Sequence, residues 1–219
     1  MTGTPRLFGA TYSVYVRIAR LALAEKGVAH ELVPVDPFAP GGPSPDYLRR
    51  QPFGRIPAFE HEDFRLYETG AITRYVDEAF AGPPLQPAGP RERARCNQII
   101  GLADAYAYRA LVWGVYVEQV EKPARGESTN DAALATAVAQ ASTCLAALTD
   151  LMGEGPWLAG PHLSLADLHL APMVAYFRLA PQGAAMMDRF PALAAWWSRM
   201  AARPSMALTR FDAEPVPAS

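Results

Sequence analysis

Gln51-Pro52-Phe53-Gly54-Arg55-Ile56-Pro57-Ala58-Phe59, followed by Leu66-Tyr67-Glu68-Thr69-Gly70-Ala71-Ile72, is the stretch that decides the fold. It reads as a loop ending in a constrained proline, a two-strand hairpin, and a helix opening at Thr69. Proline between an aliphatic residue and a strand start fits a cis Ile56-Pro57 bond, since cis peptides are nearly confined to X-Pro and mark tight turns. Such a turn leaves the Ile56 amide and carbonyl facing outward, able to pair with a peptide-like ligand. Thr69 places a hydroxyl beside the free N–H groups of a helix start, a ready carboxylate site. A backbone clamp beside a carboxylate pocket implies a small peptide ligand.

The beginning of the chain supplies a reactive group. Leu7-Phe8-Gly9 reads as a strand, Ala10-Thr11-Tyr12-Ser13 as a turn, and Val14 to Lys26 as a helix with apolar Val14, Ile18, Leu21 and Ala22 on one face. Gly27 is its stop. Ser13 therefore falls at a helix N-terminus, where the dipole and free N–H groups favour an anion. A hydroxyl there would stabilise a bound thiolate.

These motifs, in this order, resemble the soluble glutathione transferases over nearly the whole chain, most of all the Ser-type branch that includes the phi class. Ser13 lies twelve residues before the Glu of Glu25-Lys26-Gly27, as in that class. Pro52 to Pro57 and Glu68 to Ile72 match its Pro-Phe-Gly-x-(Val/Ile)-Pro and Glu-Ser-x-Ala-Ile signatures, with Thr69 in place of serine. The resemblance implies a thioredoxin-like α/β domain followed by an all-α helical domain. It implies Ser13 as the catalytic residue, with Tyr12 either lining the pocket or competing as the donor. Arg55, Ile56 and Pro57 would hold the cysteinyl backbone, Thr69 the γ-glutamyl carboxylate, and Glu68 the amino end. Arg17 would add positive field near the thiolate, or else be a solvated or salt-bridged surface arginine. Tyr106, Arg109, Trp113 and Tyr116, a stripe along the first long helix of the second domain, would wall the electrophile site or pack as core. Glutathione is then a co-substrate rather than a cofactor, the second substrate a small hydrophobic electrophile, and the assembly a homodimer. In the phi pattern a His-Lys pair holds the glycine carboxylate; Gly42-Pro43 stands there instead.

The pattern along the chain fits that division. Residues 1–80 read as strand, helix, strand (31–35), short helix, two strands (58–60 and 65–67) and helix (71–80), an α/β layer. Residues 81–90 hold four prolines and two glycines and read as a linker. Residues 91–219 are alanine-rich, with helices expected at 91–118, 130–152, 165–179 and 190–202. Ser164-Leu165-Ala166-Asp167 is a capping-box start for the third of these.

Composition narrows the rest. A net charge of −2 over 219 residues gives no electrostatic reason to expect nucleic acid or an anionic membrane. The N-terminus lacks a secretory pattern, and no apolar run of ~18 to 20 residues is expected to span a membrane. Two cysteines, Cys96 and Cys144, cannot form a disulfide framework and suit the cytoplasm. His61-Glu62 lacks its second histidine, so no metal site is expected. Two other readings of the same motifs remain: a non-enzymatic binding or scaffold module of this fold, and a glutathione-dependent disulfide or peroxide reductase. The absence of cysteine from the Ser13 loop speaks against the latter.

Overall fold

Strand β1 (Arg6–Gly9), helix α1 (Val14–Glu25) and strand β2 (Glu31–Pro34) open the chain as a parallel β-α-β step in the computed structural model, which describes residues 3–211 and Glu214. A short helix α2 (Pro45–Leu48) precedes the hairpin of β3 (Ala58–His61) and β4 (Phe64–Tyr67), and α3 (Thr69–Ala79) follows. The sheet order is β2-β1-β3-β4, parallel between β1 and β2 and antiparallel elsewhere. Period-two alternation sorts its faces. Leu7 and Phe59 are fully buried together with Ile18 and Leu21 of α1 and Ile72 and Val76 of α3. On the opposite face Phe8 and Ala58 pack with Tyr47 of α2.

Both ends of α1 are explicit. Ser13 is the N-cap, its Oγ accepting from Val16 N at 3.3 Å. Gly27, at φ +68°, stops the helix after the Lys26 C-cap, in the left-handed conformation glycine adopts without steric cost. Gly9 lets the helix close on β1, because a Cβ there would lie 2.3 Å from Val16 Cγ2.

The described residues divide into two compact units, 3–85 with 204–211 and 86–203 with Glu214. The stretch 204–211 clusters with the first unit rather than with the helices before it. The second unit contains α4 (Pro90–Leu102), a π-helical continuation (Ala103–Glu121), α5 (Lys122–Ala124), α6 (Asp131–Met152), α7 (Leu165–Phe177), α8 (Pro181–Met187) and α9 (Pro191–Ala201). The helix expected at 91–118 is therefore real but changes its hydrogen-bonding pattern at Ala103. Helix α10 (Pro204–Leu208) belongs to the first unit. Helices α8 and α10 escape the periodicity reading because each is only a turn or two long; proline at the first position starts α8.

Helix α6 corrects one expectation. By length and apolarity it could cross a membrane, with 22 residues and a mean hydropathy of 1.5 in its best window. Its buried positions Leu134, Ala137, Ala141, Cys144, Leu145, Leu148 and Met152 recur at three- and four-residue steps, the stripe of a helix packed on neighbours. It packs against the π-helical run, α4 and α9.

Helix α7 is buried along its whole length. Its capping box forms: the Asp167 carboxylate accepts from Ser164 N and Ser164 Oγ, each at 2.8 Å. The same carboxylate accepts from Leu158 N at 2.9 Å and Trp196 Nε1 at 2.8 Å, so one side chain joins the preceding loop, α7 and α9. Burial pushes the Asp167 carboxyl above its usual range while these donors pull it back. Asp167→Ala would orphan buried donors on three segments and should destabilise the protein by ~3 kcal/mol, against ~1 kcal/mol for Ser164→Ala. Denaturation midpoints should follow that order; equal midpoints for the two variants would contradict it.

Candidate functional site: a peptide clamp at one edge of the sheet

Register brings the three motifs together. Ala58 pairs with Phe8 on one side and Tyr67 on the other. The ends of β1 and β4 and the start of β3 therefore meet at one edge of the sheet. From that edge leave the Tyr12-Ser13 turn, the Ile56-Pro57 segment and the Glu68-Thr69 helix entry. Gly9 also pairs with Pro34, which places the loop after β2 at the same edge.

Ile56-Pro57 is cis, as the sequence implies. The loop before it is held from below. Gln51, 2% exposed, accepts from Phe53 N through its side chain at 2.7 Å and from Gly54 N through its carbonyl at 3.1 Å. Tyr47 donates its hydroxyl to Arg55 O at 2.6 Å, and burial pushes the phenol up to about 12, so it stays a donor. Neither Gln51 nor Tyr47 stands out in the sequence as a functional residue, because each acts through a backbone it supports. Ile56 N–H and C=O have no partner among the described residues, and the same holds for the Arg55 guanidinium.

At the α3 entry Glu68 adopts φ +68° and ψ 114°, a left-handed region that a non-glycine residue occupies only when its surroundings force it. No side chain caps this helix. Glu68 O accepts from Ala71 N and Ile72 N at 2.9 and 3.0 Å, while Thr69 N–H and Gly70 N–H have no partner among the described residues. Two open amides and the Thr69 hydroxyl thus stand at the positive end of an eleven-residue helix, where an anion is favoured. The Glu68 carboxylate has no cation partner among the described residues.

Ser13 and Tyr12 are separated by their hydrogen bonds. Tyr12 donates its hydroxyl to Asp36 Oδ1 at 2.7 Å, and this bond, with one from Phe38 N, holds Asp36 below the usual carboxylate range. Ser13 Oγ accepts from Val16 N, and its own proton has no acceptor among the described residues. Arg17 is neither solvated nor on the surface. It is 1% exposed, with hydrogen bonds to Met206 O and Thr209 Oγ1.

The loop of Gly42-Pro43 carries no charged side chain from Pro37 to Ser44. The arginines beyond it are engaged: Arg49 and Arg50 both pair with Asp46, and Arg50 also reaches Glu60 at 2.8 Å. No three His, Cys, Asp or Glu side chains among the described residues gather into a metal-binding group.

The stripe along the long helix splits. Tyr106 and Arg109 line a cavity of about 430 Å³ with Leu102, Gln140, Cys144 and Ala147 of the same helical unit. Tyr116 is buried and meets Tyr176 edge-on at 4.7 Å. Trp113 is half exposed.

Residues 7–84 match the family model for the glutathione S-transferase N-terminal domain, and residues 131–197 that for the glutathione S-transferase C-terminal domain. The chain belongs to the glutathione S-transferase family. A probable glutathione S-transferase, GSTF1 of Oryza sativa, is 31% identical over 92% of this chain and 93% of its own. Glutathione S-transferase F13 of Arabidopsis thaliana is 31% identical over 91% and 92%. Among solved structures, glutathione S-transferase I from maize in complex with an atrazine glutathione conjugate superposes with a TM-score of 0.83 at 28% identity, covering 94% of this chain and 96% of that one. This transferase is thus of the phi-like branch, with the α/β and all-α units that its sequence implies.

The Glu68 geometry makes a prediction. Glycine adopts φ +68° freely, so Glu68→Gly should raise stability by about 1 kcal/mol while glutathione binding weakens with the lost carboxylate. A thermal melt and a glutathione titration read the two effects; a lowered midpoint would contradict the strain.

Proposed function

We propose that the protein ionises the thiol of glutathione and adds the sulfur to a small hydrophobic electrophile, with Ser13 as the group that stabilises the thiolate. The observation carrying this is the unpartnered Ser13 O–H at the N-cap of α1, on the edge where the Ile56 backbone and the Thr69 amides stand open. The γ-glutamyl carboxylate suits the α3 N-terminus and its amino group the Glu68 carboxylate. The cysteinyl backbone suits an antiparallel pairing with Ile56, a short β-augmentation. Pro57 fixes the direction of that backbone.

The magnitudes suffice. A free thiol titrates near ~8.5, and lowering it by ~2 units needs about 2.7 kcal/mol. A hydrogen bond to a charged sulfur contributes ~1.5 to 3 kcal/mol and a helix N-terminus ~0.3 to 1. The thiol proton leaves to solvent, the S–C bond forms, and the electrophile loses its leaving group or opens its ring. Tyr12 donates its hydroxyl hydrogen bond to Asp36, which ties the Ser13 turn to the loop after β2 and leaves Tyr12 to line the pocket. Tyr116, buried edge-on against Tyr176, is the member of the aromatic stripe that packs as core.

A second copy completes the assembly. Phe53 is 70% exposed on the rim beside Tyr67, 6.1 Å away edge-on. A ring of that size fits the cavity lined by Tyr106, Arg109 and Cys144. A two-fold homodimer seating each Phe53 in the other copy's cavity covers both apolar surfaces, and takes Tyr106 and Arg109 away from the electrophile wall. Buried Cys96 and Cys144, neither in a disulfide, suit a cytoplasmic setting, with detoxification of electrophiles as the physiological role.

Ser13→Ala should lower turnover about tenfold to a thousandfold, as for loss of one oriented donor, with glutathione binding little changed. Tyr12→Phe should cost far less. A benign Ser13→Ala beside a damaging Tyr12→Phe would reverse the assignment. In sedimentation, wild type should run as a dimer and Phe53→Glu should shift toward the 23.7 kDa monomer; a monomeric wild type at micromolar concentration would refute the assembly.

A further inference from the structure

From Pro204 to Phe211 the chain packs on α1 within the first unit. Ser205, Met206, Thr209 and Phe211 are each at most 5% exposed. Helix α10 is so short that its last carbonyls are orphan acceptors at a negative helix end. Two arginines three residues apart on α1 supply the donors. Arg17 Nη2 donates to Met206 O at 3.1 Å and Arg17 Nε to Thr209 Oγ1 at 3.3 Å. Arg20 donates to Thr209 O at 3.3 Å and Leu208 O at 3.1 Å. Phe211 lies 5.5 Å from the Arg17 guanidinium, and Ser205 Oγ donates to the Glu25 carboxylate near the far end of α1.

Arg17 is also joined to the reactive turn through its backbone. Its N–H donates to Ser13 O at 2.9 Å, and the N–H of its neighbour Val16 binds Ser13 Oγ. The residue that anchors the C-terminal segment is therefore hydrogen-bonded to the residue carrying the hydroxyl. Two nitrogens of this buried guanidinium, Nε and Nη2, bond the C-terminal segment, so the two ends of this arrangement hold each other in place.

We propose that Pro204–Phe211 is a strap that aims the Ser13 hydroxyl, with Arg17 and Thr209 as positioning residues; this rests on Ser13 being the thiol donor. Rotation or sliding of α1 would break the four arginine bonds together. Without the anchor, the first turn of α1 drifts relative to Ile56 and Thr69, which hold the peptide. Hydrogen bonds weaken steeply with angle, so the drift costs thiolate stabilisation more than peptide affinity.

The test makes Thr209→Val, Arg17→Met and Arg17→Lys, each with Ser13 intact and with Ser13→Ala. It reads kcat, KM for glutathione and the titration of the bound thiolate by ultraviolet absorbance. Ser164→Ala, which weakens the α7 cap, controls for general destabilisation. Thr209→Val and Arg17→Met should lower kcat about three- to thirtyfold, leave KM within about twofold, and raise the pKa of the bound thiol. Arg17→Lys should recover part of the loss. In the Ser13→Ala background the same changes should be nearly silent, because the group they aim is gone. Ser164→Ala should leave the bound-thiol pKa as in wild type. Folded Thr209→Val with unchanged kcat and thiol pKa, or equal losses in both backgrounds, overturns the strap while leaving Ser13 as the donor. A silent Ser13→Ala overturns the donor itself.

Discussion

A buried ammonium fixes where α1 sits, and the chemistry proposed for its other end depends on that. Lys26 Nζ is 3.1 Å from Asp77 Oδ1, with the Lys26 side chain 2% and the Asp77 side chain 6% exposed. The same ammonium donates to the carbonyls of Asp77, Gly82 and Pro83, and Asp77 also accepts from Leu85 N at 2.8 Å. A pair this deep brings little net stability when intact, yet removing one partner typically costs ~3 to 5 kcal/mol because the other is left charged and dry. Its effect is geometric: the end of α1, the end of α3 and the chain leaving the first unit are bound to one point. Helices α1 and α3 are the two whose N-termini reach the sheet edge, carrying Ser13 and Thr69. With their C-terminal ends fixed, a hydroxyl and a pair of amides can face one ligand in constant register.

This gives Glu25-Lys26-Gly27 a physical meaning. Glu25 holds Ser205, Lys26 holds α3 and the departing chain, and Gly27 at φ +68° turns away. The twelve-residue step from Ser13 is the length of one helix, about 18 Å at 1.5 Å per residue. A serine shifted by one position would point elsewhere around the helix while the anchor stayed in place.

Much of the fold was legible because its signals are local. Ser13 as N-cap, Gly27 as stop, Pro57 before a strand and the Ser164/Asp167 box each declare themselves within four residues. What stayed hidden is non-local or carried by the backbone. Arg17 looks from sequence like any helix arginine; its burial depends on residues almost two hundred positions later. The positive φ of Glu68 leaves no mark in the sequence, since nothing but tertiary context imposes it. The engagement of the Tyr12 hydroxyl by Asp36 is likewise a contact across two loops. Along the long helix, spacing alone could not say that Tyr106 and Tyr116 face different neighbours.

The central claim is that this scaffold ionises a bound thiol with one hydroxyl and one helix N-terminus. Titrating the ultraviolet absorbance of the thiolate in the wild-type protein saturated with glutathione tests it without any variant. The account predicts a bound-thiol pKa about two units below the ~8.5 of a free thiol, so that most of the bound glutathione is ionised at neutral pH. A bound thiol that titrates where free glutathione does would contradict it.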